Sequence, residues 1–138
     1  MSAENLKALS RLGALISEGY PFAALQAKIS ARRVDLIAPQ GAMAAVVDAV
    51  SRFRASSQLS PVQLLVVSTG REAEDVAATL RSLDPNAEIL EFPSWETLPH
   101  ERLSPSPETV GRRLKVLHRL NDLSHAKPAP EHTVYVLA

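Results

Sequence analysis

The sequence contains no cysteine. That excludes disulfides, thiolate metal sites and thiol nucleophiles, and it accords with a reducing compartment. Neither sign of charge dominates. Fifteen basic residues balance fifteen acidic ones, so there is no overall electrostatic pull toward nucleic acid or a membrane surface. No run approaches the roughly 18 apolar residues that a membrane helix needs. The opening MSAENLKALSRLGAL carries polar residues at helical spacing, unlike a signal peptide. Glycine is sparse: Gly13, Gly19, Gly41, Gly70 and Gly111, none followed by Lys. Neither G-x-x-x-x-G-K-[ST] nor G-x-G-x-x-G occurs, which removes the two common phosphate-binding loops. The G-x-S-x-G nucleophile elbow is missing as well. What is left is an ordinary globular composition, 46% hydrophobic and 22% charged over 138 residues. That length suits one domain with a core, read as soluble and cytoplasmic.

The hydrophobic pattern alternates between helix and strand periods. Leu6, Leu9, Leu12, Leu15 and Ile16 share a helical face over residues 4–18. After Gly19-Tyr20-Pro21 a second short helix extends to about Arg32. VDLIAP (34–39) reads as a buried strand, AMAAVVDAVSRF as a helix burying Ala and Val, and QLLVVS (63–68) as a strand apolar on both faces. A helix then starts at Thr69, capped by its hydroxyl and by Glu72 reaching back, and buries Val76, Ala77, Leu80 and Leu83. EILEF (88–92) is a third strand. Ser106 caps a further helix with Pro107 at its first position and Glu108 near its positive end, running to about Asp122. SHAKPAPEH (124–132) reads as a flexible linker and TVYVLA (133–138) as a fourth strand.

This order predicts a three-layer α/β domain with a mostly parallel sheet of about four strands and flanking helices. Residues 1–33 form a helical lead-in and 34–138 the α/β domain. A strand with no turn after it reads as a piece of something longer. In such sheets ligands bind beyond the carboxyl ends of the strands, here Ala38–Gly41, Ser68–Arg71 and Phe92–Pro99.

Little chemistry is visible at those ends. Pro39, Gln40, Gly41, Ala42 and Met43 occupy the setting of a phosphate loop, strand to turn to helix. They supply no Lys or hydroxyl to hold phosphate and Mg²⁺. No catalytic residue, cofactor site or metal site is expected. His100, His118, His125 and His132 lack the spacing of a compact metal site, and Glu96 and Glu101 are not placed as a general acid–base pair. GRRLKVLHRL presents Arg112, Arg113, Lys115, His118 and Arg119, with Val110, Leu114 and Leu117 toward the core. It reads as a solvated helix face more readily than as a phosphate-facing strip, because no aromatics interleave to stack bases.

The remaining anomaly is FPSWETLPHERLSPSPETVGRRL (92–114), with four of the ten prolines and the only Trp. Trp95, Glu96, Pro99 and His100, with Arg112, Arg113 and Lys115, are the candidate interaction or loop-anchoring residues. Trp95 is expected to lie under the loop and pin it to the sheet edge, a contribution of about 2–3 kcal/mol.

The W-E-T-L-P core, followed by S-P and by T-V-G-R-R-L, resembles the N-terminal module of bacterial transcription-repair coupling factors. The resemblance continues back through LLVVSTGREAEDVAATLRSL to VDLIAPQGAMAAVVDAV. It covers residues 34–138, with the lead-in matching in style rather than in letters. That module is similar to the first domain of the helicase component (the B component) of the excision nuclease, a RecA-like motor shape whose nucleotide motifs have decayed in coupling factors. The resemblance implies a parent that is an ATP- and Mg-dependent DNA translocase. It would displace RNA polymerase stalled on double-stranded DNA and recruit repair through the A component of the excision nuclease. It further implies that this chain is non-catalytic, without a cofactor of its own, and rests on the remainder of its module. A free-standing nucleotide-binding domain or enzyme with an atypical site near Ala38–Gly41 and Trp95–Arg102 is the alternative. A direct nucleic-acid binder using Arg112, Arg113, Lys115 and Arg119 is a third reading.

Overall fold

Three short strands, β1 (Val62–Leu65), β2 (Glu88–Glu91) and β3 (Val134–Leu137), form one all-parallel sheet ordered β1-β3-β2 among the described residues. The computed structural model describes residues 11, 14–16, 18–28, 34–56, 60–95, 104–125 and 132–138. Val134 lies opposite Val62 on one side and Glu88 on the other, and Leu137 opposite Leu65 and Glu91. The last strand in sequence therefore lies at the centre, and all four of its side chains are buried, Tyr135 completely. The ladder extends past β1, where Ala138 donates to the Leu65 carbonyl and Val67 to that of Ala138, both at 2.9 Å.

Chain contacts divide the molecule into two compact units, Met1–Ser60 with Ala78–Asn86, and Pro61–Ala77 with Ala87–Ala138. The first holds α1 (Tyr20–Gln26), whose Phe22 is buried, a 3-10 turn at Gln40–Ala42, and α2 (Met43–Ser56). Helix α2 buries a face of small residues, Ala44, Ala45, Ala49 and Ser51, around Asp48. Helix α3 (Gly70–Leu83) begins in the second unit and ends in the first. Val76, Ala77, Leu80 and Leu83 are buried, as their helical spacing requires. The second unit holds the sheet and α4 (Pro107–His125).

Both expected helix caps form. The Glu72 amide donates to Thr69 Oγ1 at 3.1 Å, and the Glu72 carboxylate reaches one residue further back than expected, accepting from the Ser68 amide and hydroxyl. At α4 the Thr109 amide donates to Ser106 Oγ at 3.2 Å.

Five expectations are corrected. Residues 34–39 form no strand: they are irregular and exposed, with Ile37 fully in solvent. A strand exists only as half of a ladder, and no ladder among the described residues takes this run. The sheet described therefore has three strands rather than four. Second, the run at 63–68 is not covered on both faces: Leu64 and Val66, which share a face by the two-residue period, are 67% and 76% exposed. Third, α4 runs to His125, taking in the first two residues of the expected linker; Ser124 Oγ donates to the Asn121 carbonyl at 2.7 Å. Fourth, α4 buries Thr109 and Val116, while Leu114 and Leu117, expected in the core, are exposed. Leu15, expected on a buried face, is exposed too.

Candidate functional site

Parallel strands present their carboxyl ends to the turns that follow them, and the loop after β2 meets α4 there. The side chain of Arg113 lies between two rings. Its guanidinium carbon is 3.8 Å from the Phe92 centroid and 4.1 Å from that of Trp95. Arg113 Nη1 also donates to the Pro93 carbonyl. One planar cation thus holds residues 92–95 by two cation–π contacts and a hydrogen bond. Most of the loop that Trp95 was expected to pin lies outside the described residues, and Trp95 itself, expected to be buried, is half exposed against this guanidinium. Its anchor is a cation, and a charged partner keeps the ring near water.

The neighbouring cations are engaged in the same way. Arg112 Nη2 is 3.1 Å from Glu91 Oε2. Arg119 forks onto both oxygens of Glu88, Nε to Oε1 and Nη2 to Oε2, each at 2.8 Å. His132 Nε2, in the approach to β3, lies 3.4 Å from the same carboxylate. The Arg119 hydrogen bonds hold the Glu88 carboxyl below the ordinary carboxylate range, against the opposing effect of burial, with His132 adding to the lowering. Three members of the strip read from the sequence, Arg112, Arg113 and Arg119, therefore tie α4 to β2 and the residues just after it. Lys115 is exposed. Glu96, Pro99 and His100, and with them Glu101 and Arg102, lie outside the described residues.

A cleft of about 150 Å³ opens at the same edge, with Thr69, Gly70, Glu74, Phe92, Ser94 and Arg112 among its walls. Its polar lining is acidic on balance: Glu74 and Glu91 face one arginine, and Glu91 already occupies that arginine. The nearby start of α3 is capped by Glu72. Carboxylates at this amide cluster compete with any phosphate for the same dipole.

The expected phosphate-loop position is a plain helix entry. Ala42 donates to the Pro39 carbonyl at 2.9 Å, the 3-10 turn follows, and Met43 starts α2. Gly41 is exposed, and a Cβ added there would meet nothing within 4 Å.

Nothing in the spacing of the sequence marks Asp48. It is completely buried, with Oδ2 accepting from Arg52 Nε at 2.9 Å and Oδ1 without a hydrogen-bond partner. Arg52 Nη2 continues to the Leu83 carbonyl at 3.3 Å, tying α2 to the end of α3 inside the first unit. Burial raises the Asp48 carboxyl above its ordinary value; Arg52 offsets part of this and Asp84 adds to it.

Of the histidines, His118 pairs with Asp122 on the exposed side of α4 and His125 bonds the Asn121 carbonyl. Among the described residues no three His, Asp or Glu side chains gather where a cation would bind, and no helix is long and apolar enough to cross a membrane.

The residues that the sequence hid are the partners: Glu88, Glu91 and Phe92. Glu88 and Glu91, three apart on a strand, fall on opposite faces by the two-residue period, so spacing alone does not pair them with Arg119 and Arg112.

No protein-family profile matches the chain. Over 101 residues it is 48% identical to a protein of Mycobacterium bovis and, equally, to one of Mycobacterium tuberculosis, each called transcription-repair-coupling factor. The match covers 73% of this chain and 8% of each relative.

Proposed function

We infer from the likeness to the transcription-repair-coupling factors, 48% identity over 73% of the chain, that it is a non-catalytic scaffold and interaction module of such a protein. The matched stretch is a small part of those relatives, so the activities of a whole coupling factor enter here as part of the proposal. The parent is an ATP- and Mg-dependent translocase on double-stranded DNA that displaces stalled RNA polymerase and recruits excision repair through the A component of the excision nuclease. This module is the N-terminal one, a RecA-like shape without its phosphate chemistry, working in the cytoplasm.

The observation that carries the reading is the state of α4. Each of its three arginines is engaged by the unit's own residues: Arg112 by Glu91, Arg113 by Phe92 and Trp95, Arg119 by Glu88. Cations that bind DNA must meet phosphates and release counterions. Side chains that hold a helix to a sheet are fold-forming instead. Fluorescence anisotropy with a labelled DNA duplex tests this. The scaffold reading expects weak binding that changes little on Lys115→Glu. Tight, salt-dependent binding lost on that substitution would replace the reading with a nucleic-acid interface.

A further inference from the structure

β2 is an outer strand, with β3 as its one neighbour among the described residues. Its ladder uses alternate residues. The Glu88 amide donates to the Thr133 carbonyl at 2.9 Å, and the Phe92 amide to that of Leu137 at 2.7 Å. Successive residues of a parallel strand turn their backbone groups to opposite sides. The N–H and C=O of Ile89 therefore point away from β3, and neither has a hydrogen-bond partner among the described residues. Ile89 also lines a groove of about 220 Å³ between β2 and α4. Leu90 and Val116 complete its apolar wall, and Glu91, Arg112 and Lys115 form its polar one.

Open backbone groups on a strand select an extended polypeptide, which returns both a donor and an acceptor. The charges around them select further. Glu91 is held by Arg112 and Glu88 by Arg119. Lys115 is exposed and forms no ion pair among the described residues. The groove thus carries one unmatched positive charge. A second copy would bring the same engaged acids and a second unmatched lysine, so pairing β2 with itself leaves both lysines without a counter-charge.

We propose that the outer edge of β2 binds an extended segment of a partner protein as an added strand. An apolar side chain of that segment rests against Ile89, Leu90 and Val116, and an acidic one meets Lys115. This gives the interaction module inferred above a site and a class of partner, and so rests on that reading.

Two heptapeptides blocked at both ends test this on the 138-residue chain: Thr-Val-Thr-Val-Glu-Val-Thr, and the same peptide with Lys in place of Glu. Each is titrated while the amide NMR signals are followed. The acidic peptide should move the Ile89 amide signal and slow the exchange of its hydrogen. It should bind about fivefold more tightly than the lysine peptide, and Lys115→Glu should reverse that preference. Ile89→Pro should abolish binding with the sheet intact, because the N–H it removes is one the β3 ladder does not use. If that variant does not fold, the charge reversal decides alone. Neither peptide reaching Ile89, binding indifferent to the sign of the charge, or binding that survives in folded Ile89→Pro overturns the proposal. So does an Ile89 signal that moves with protein concentration in the absence of peptide, which would make a second copy the occupant. No arm uses nucleotide or DNA, so failure here is distinct from failure of the scaffold reading, which duplex binding decides.

Discussion

Arg119 on α4 donates to both carboxylate oxygens of Glu88 on β2, and His132 approaches the same carboxylate from the lead-in to β3. One acid thus joins three consecutive pieces of the second unit. Its pKa is lowered in the fold, so the pair adds stability above the unfolded carboxylate value. That stability is lost as pH falls through the lowered folded value. Glu88→Gln should reduce stability at neutral pH by on the order of 1 kcal/mol, since both partners are partly exposed. Denaturant melts at successive pH values check this: the gap between wild type and variant should close on acidification and stay constant at neutral pH and above.

Asp48 has the opposite sign. Burial raises its pKa in the fold, so above its unfolded value the folded state loses stability as pH rises, until the buried carboxyl has ionised. Asp48→Asn removes the titration. The variant's stability relative to wild type should rise as pH is taken upward from about 4, measured by urea unfolding. A difference independent of pH would show that the carboxyl has the same pKa folded and unfolded, and would contradict the raised value.

The arginine stack makes a test specific to planarity. Arg113→Ala removes two cation–π contacts and the bond to Pro93, a loss of about 1–2 kcal/mol. Arg113→Lys should rescue little, because an ammonium cannot lie flat between two rings. Trp95→Ala should cost about 1 kcal/mol, well below the 3–5 kcal/mol of a buried aromatic. Thermal melts of the three variants set these values, and the emission of the single Trp reports the stack directly.

Gly41 carries the clearest prediction about the turn that leads into α2. Its surroundings have room for a Cβ, so Gly41→Ala should leave the melting temperature unchanged or raise it, by up to about 1 kcal/mol of stability. A large loss would mean that this turn needs glycine after all.

Local structure is legible in the sequence, and pairing is hidden. Caps at Thr69 and Ser106, and the buried positions of α3, follow from spacing alone, since their partners lie three or four residues away. The run at 34–39 fails as a strand because a strand needs a ladder partner, and composition cannot name one. Leu114 and Leu117 read as core because Val110, Leu114 and Leu117 form as regular a stripe as Thr109, Arg113 and Val116. Only the sheet decides which stripe faces inward. Trp95 reads as buried from its type, whereas its partner is a cation eighteen residues away.

The central claim is that this module is a scaffold without nucleotide chemistry. A thermal melt of the 138-residue chain with and without millimolar Mg-ATP tests it most directly. Ligand at 100 times its dissociation constant adds ~2.7 kcal/mol, a rise of several degrees for a domain of this size. The account predicts superimposable melts. A clear upward shift would contradict it, and would place a nucleotide on a turn that lacks the lysine to hold one.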